Sequence, residues 1–133
     1  MKFAKYSFLV AGIYGLIVLL PQYFLESKVG TDSPPAITHP EFFYGFVGVG
    51  IAFQIVFLII STDPAKYRLM ILPSIVEKFS FAIAATVLLL GGRLAVQMFA
   101  AAMIDLVLGV LFIVSWFKLA GTADTPTVSK SVN

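Results

Sequence analysis

LMILPSIVEKFSFAIAATVLLL, residues 69–90, is apolar over a length that could cross a bilayer, yet it carries Glu77 and Lys78 near its middle. About 20 apolar residues in a helix span the roughly 30 Å hydrocarbon layer. A charge at the centre of such a helix costs about 2.5–3.5 kcal/mol, so two cost about 5–7 kcal/mol. The Leu, Ile, Val and Phe residues of the stretch return about 0.3–0.6 kcal/mol each, which brings the balance close to zero. Such a helix inserts only beside neighbours that supply partners for Glu77 and Lys78, and the rest of the chain is expected to be those neighbours.

Composition points the same way. Hydrophobic residues make up 59% of the 133 and charged residues 12%, against about 25% charged in soluble domains. The expected fold is an all-α membrane protein, an antiparallel bundle of four transmembrane helices. The net charge is +2 without any clustered basic run, which argues against a nucleic-acid partner. The absence of cysteine excludes disulfides, thiol catalysis and iron–sulfur ligation. A single histidine, His39, excludes bis-histidine haem ligation within one chain. No cofactor and no metal site is expected.

The spans are expected at residues 6–25, 42–60, 69–90 and 94–117, giving a transmembrane domain over 1–118 and a disordered cytoplasmic tail over 119–133. The first stretch follows a basic leader, as a signal peptide does. Its apolar part is longer than usual for one, and PQYFLES offers no small-x-small cleavage site, so it is expected to stay as a helix. ESKVGTDSPPAITHPE, residues 26–41, is expected to be extended surface chain with a solvated His39. Asp63-Pro64 forms a turn that can cap a short helical lead-in. Pro73 is expected to bend the third span by removing its bond to Leu69. Gly91-Gly92-Arg93 links the last two spans tightly. Four spans put Lys2, Lys5, Lys66, Arg68, Lys118 and Lys130 on one side and only Lys28 and Arg93 on the other, so both termini are expected in the cytoplasm, with the plasma membrane, the inner one if the source is bacterial, as the expected location.

Small residues mark candidate packing faces. Gly45, Gly48 and Ala52 share one face of the second span, and Gly50, Gln54, Phe57 and Ser61 share another. On the fourth span Gln97, Ala101, Asp105 and Gly109 recur at i+4, which sets the carboxylate among small neighbours.

Counting about 1.5 Å per residue from the cytoplasmic helix ends puts Tyr14, Gln54, Glu77 and Lys78 at roughly 10–14 Å depth and Asp105 at about 18 Å. Every helix thus contributes to one polar layer. Adjacent helical residues diverge by about 100°, so Glu77 and Lys78 are expected to face different partners. Lys78 is expected to meet Asp105, leaving Glu77 to Gln54, Tyr14 or a proton. Fully ionised, the layer carries a charge of −1, and a buried anion raises its pKa, pairs or binds a cation.

Three functional expectations follow. The leading one is binding or transport of a proton or small cationic ligand at Glu77 and Asp105, with Lys78 balancing charge and Gln54 and Tyr14 orienting the site. A homodimer through Gly45, Gly48 and Ala52 would supply an alternating pathway. The second is an accessory or scaffold subunit of a larger membrane complex, with a purely structural polar layer. The third is a lipid-modifying acid–base enzyme using Glu77, Asp105 and Tyr14, although the sequence has no nucleophile–base pair or phosphate loop. Neither YRLMILPSIVEKFSF nor AAAMIDLVLGVLF carries a defining motif, and the sequence shows no family resemblance.

Overall fold

A computed structural model describes residues 1–123, all of whose regular structure is helical. Helix α1, Lys2–Leu19, stops where Pro21 has no N–H to offer the carbonyl of Ile17. The chain tightens there into a 3₁₀ turn, Leu20–Phe24, and Gln22 Nε2 donates to the Val18 carbonyl at 3.4 Å. Beyond it, residues expected to be extended instead form a short helix, α2, Glu26–Asp32. Glu26 in the first turn suits the positive helix end. Lys28 pairs with Asp32 one turn on at 2.6 Å, and Thr31 Oγ1 donates to Ser27 O at 2.9 Å. The Tyr44 hydroxyl then donates to Glu26 at 2.7 Å and ties α2 to the next helix.

That helix, α3, Pro40–Thr62, begins with proline at its first position, where a missing N–H costs nothing. It ends at Asp63, which takes an extended conformation before Pro64. The Asp63 carboxylate accepts the Lys66 N–H at 3.1 Å, capping a turn that leads through a 3₁₀ turn, Arg68–Met70, into α4, Ile71–Leu90. Since α4 starts at Ile71, Pro73 falls in its first turn, among N–H groups that have no helical partner. The expected loss of a bond to Leu69 therefore does not arise within the helix.

Helix α4 closes on glycine. Gly92 has φ +69°, its N–H bonds to Leu89 O at 3.0 Å, and the Arg93 N–H bonds to Leu88 O at 2.8 Å. This reciprocal pair satisfies the last carbonyls of the helix and needs a residue free of Cβ at position 92. The link is two residues longer than expected. Helix α5 runs over Val96–Ala123, so residues 119–123, placed in the expected tail, are helical, and the rest of that tail lies outside the described residues.

The extensive interfaces are α1 along α3 and α4 along α5, and α1 also packs on α5. Going up α1, Gly12 lies against Leu58, Gly15 against Gln54, Leu19 against Gly50, and Tyr23 stacks on Tyr44 at 6.0 Å. The buried core is Ala4, Phe8 and Ala11 of α1, Phe57 and Ile60 of α3, Ile71 of α4, and Leu108, Phe112 and Leu119 of α5. Outward positions are apolar as well, among them Ile17, Val49, Val76, Val87 and Val107. Four helical stretches, Lys2–Phe24, Pro40–Thr62, Arg68–Leu90 and Val96–Thr122, are long and apolar enough to cross a membrane by length and composition. Helices apolar on both faces suit a lipid surround rather than water.

Candidate functional site

The inner face of α4 is Ile71, Ser74, Lys78, Ala82 and Ala85, a 3-and-4 spacing that puts Lys78 at its centre. The neighbours that admit it are small. On α5, a Cβ at Gly109 would press on Phe79 and on Lys78 Cβ, so glycine there lets the two helices close over the lysine stem.

Lys78 Nζ lies 3.1 Å from Asp105 Oδ1 across the α4–α5 interface and 3.4 Å from Glu77 Oε2 on its own helix. The lysine side chain is only 4% exposed, and those of Glu77 and Asp105 are 21% and 17% exposed. The expected division of partners is therefore corrected: a flexible lysine stem curls back, and one ammonium serves both carboxylates despite the 100° between positions 77 and 78. The bond to Asp105 is a hydrogen bond as well as an ion pair. Glu77 Oε2 is buried and accepts no hydrogen bond among the described residues.

Beneath this triad lies an aromatic floor. Lys78 Nζ sits 5.1 Å from the centroid of the Phe57 ring, close enough for a cation–π contact. Phe57 meets Phe112 edge-on at 5.0 Å, and Phe112 stacks on Phe8 at 4.0 Å. One phenylalanine each from α1, α3 and α5 thus joins a run of rings whose Phe57 end meets the lysine of α4. The rings supply low-dielectric surroundings that strengthen the ion pairs and make an unpaired charge expensive. Sequence reasoning had no role for Phe8 or Phe112, yet Phe112 continues the Asp105, Gly109 stripe by three residues.

The other expected members of the layer are dispersed. Gln54 is buried, but its Nε2 donates to the Gly50 carbonyl of its own helix at 2.9 Å, and its Oε1 has no partner. It lies against Gly15 of α1, where any Cβ would collide with the carboxamide. Tyr14 is half-buried against the core cluster. Neither reaches Glu77 by a hydrogen bond. Among the packing residues, Gly109 is closed upon, and Gly48 is approached by the Tyr23 hydroxyl. Gly45, Ala52 and Ala101 face outward, and a Cβ on Gly45 would meet open space. The face of α3 that packs is the other one, Gly50, Gln54, Phe57 and Ser61. On α5 the buried small residue is Ala102 rather than Ala101.

At one end, where α1 begins and α5 approaches its last turns, cations lie on aromatic rings. Arg68 sits 3.8 Å from the Trp116 ring, and Lys118 lies 4.6 Å from that of Phe3. At the other end His39 pairs with Glu41 at 3.1 Å in solvent. Two apolar grooves, of about 430 Å³ between α1 and α5 and about 190 Å³ between α4 and α5, are lined by none of the three charged residues.

The structure thus defines an all-helical protein whose four long apolar helices enclose an ion triad. Comparison with protein families, curated proteins and solved structures finds no match to this chain.

Proposed function

We propose that this chain is a multi-pass membrane protein, an antiparallel bundle of four transmembrane helices with both termini in the cytoplasm, that binds a proton at Glu77. The observation that carries this reading is one ammonium shared by two carboxylates, with Glu77 Oε2 buried and accepting no hydrogen bond. The triad has one negative charge in excess when ionised. A proton on Glu77 neutralises it, turns Oε2 or its partner oxygen into a donor, and leaves the shorter Lys78–Asp105 pair intact. Neither groove is lined by the triad, and a proton, unlike an organic cation, needs no cavity. Support for the topology is the end of the molecule that collects Lys118, Arg68 and the start of α1.

The test is carbodiimide labelling, which modifies protonated carboxyls in apolar surroundings, mapped by mass spectrometry in native membranes from about pH 6 to 9. The expected outcome is modification of Glu77 that declines as pH rises and is absent from Glu77→Gln. No labelling at any pH, with an unfolded control that does label, overturns the proposal.

A second reading has one observation in its favour. Gly45 and Ala52 present an uncovered face flanked by exposed Phe46 and Val49, as an accessory subunit or a homodimer would require. In that case Glu77, Lys78 and Asp105 can be replaced together by apolar residues with function retained.

A further inference from the structure

The larger groove runs between α1 and α5, walled by Phe3, Val10, Leu108 and Leu111, with Lys2 at one end. The rise from Lys2 to Val10 is about 12 Å, so the groove starts at the basic end of the molecule and descends into its apolar part. A second cation stands beside the same mouth: Lys118 Nζ is 4.6 Å from the ring of Phe3, which lines the groove. Among the described residues neither Lys2 nor Lys118 pairs with a carboxylate. The smaller groove, walled by Ile83, Val87, Met103 and Leu106 between α4 and α5, has no cation on its lining. These two grooves thus differ in charge.

An apolar trough with one ammonium on its lining and a second against the ring of Phe3 has the complement of an anionic lipid: a hydrocarbon chain joined to a phosphate with no cation of its own. We infer that the α1–α5 groove holds one acyl chain of an anionic phospholipid from the cytoplasmic leaflet, with its phosphate between Lys2 and Lys118. A zwitterionic lipid brings its own ammonium and gains less from the pair. The inference rests on the membrane reading above but not on the role of Glu77.

The test uses the full chain in nanodiscs of equimolar dioleoyl phosphatidylcholine and dioleoyl phosphatidylglycerol, with the lipids retained on release counted by native mass spectrometry. Each lysine near an anionic headgroup contributes about fivefold in affinity. The wild type should therefore retain phosphatidylglycerol over phosphatidylcholine by at least tenfold, and Lys2→Gln with Lys118→Gln should bring the ratio close to one. Val10→Trp, which fills the trough, should lower phosphatidylglycerol retention at least fivefold; should it fail to fold, the paired lysine variant decides alone. Equal retention of the two lipids by the wild type overturns the inference, as does a preference that survives the lysine changes. A dimer peak in place of the lipid adduct also overturns it, and assigns the groove to a second copy. Carbodiimide labelling of Glu77 should be the same in the lysine variants. Its loss with lipid retention intact would remove the proton reading alone, and failure of the chain to enter nanodiscs would remove the membrane reading.

Discussion

Two regions of this molecule hold ion pairs of similar length in opposite surroundings. In the interior, Lys78 lies 3.1 Å from Asp105 with the lysine side chain 4% exposed. On the α2 rim, Lys28 lies 2.6 Å from Asp32 with side chains 64% and 59% exposed. The rim pair is the shorter, yet it contributes less to stability. Water solvates both of its partners when they part, and two long side chains lose rotamer freedom when they meet. In the interior a lysine only 4% exposed has little solvent to replace a lost partner, so the triad is fixed by the cost of breaking it rather than by the gain of forming it.

The strongest way to break the comparison is Lys78→Met. It leaves Asp105 and Glu77 without the one ammonium that both contact. Removing one partner of a buried pair costs about 3–5 kcal/mol, and here a single ammonium serves two acids. Reversible unfolding in mixed micelles with SDS should show a loss of that size. Adding Asp105→Leu and Glu77→Gln to Lys78→Met should restore most of it, since all three charges are then removed together. A triple variant as unstable as the single one would mean that the ions stabilise the helices outright.

A smaller effect separates packing from charge in the same interior. Gly15→Ala puts a Cβ into the space of the buried Gln54 carboxamide. Forcing an extra carbon into a filled interface costs about 1–3 kcal/mol. Gly45→Ala, on the open face of α3, should change the stability of the monomer by less than about 0.5 kcal/mol. The same micelle unfolding measures both. A large loss for Gly45→Ala would show that its face is covered by a second molecule.

These glycines also show where the sequence was legible and where it was not. The Lys78–Asp105 contact and the Gly50, Gln54, Phe57, Ser61 face could be read because a polar group among apolar ones has few places to go. The choice between small-residue faces could not. Helices apolar on both sides lose the periodicity that marks an inner face, so Gly45, Gly48 and Ala52 looked as suited to packing as Gly50 and its companions. The contact of Glu77 with Lys78 was not legible because backbone angle was counted and the reach of a lysine stem was not. Helix α2 was hidden by Gly30 and the two prolines after it, and its support from Tyr44 is separated by 18 positions in sequence.

The smallest effect belongs to the rim, and it sharpens the contrast most. Lys28→Ala removes the 2.6 Å pair with Asp32, the shortest ion pair among the described residues. Exposed pairs one helical turn apart are worth about 0.3–0.5 kcal/mol. Unfolding in micelles should therefore shift by no more than that, and raising the salt concentration should erase the difference, because a screening length of about 10 Å at 0.1 M falls to about 3 Å at 1 M. The interior pair should keep its effect under the same change, since a pair with its lysine 4% exposed is screened much less than one in solvent. Salt dependence thus separates the two regions where distance does not. A Lys28→Ala loss that persists at 1 M salt would mean that α2 is sheltered from water and belongs to the packed body of the protein.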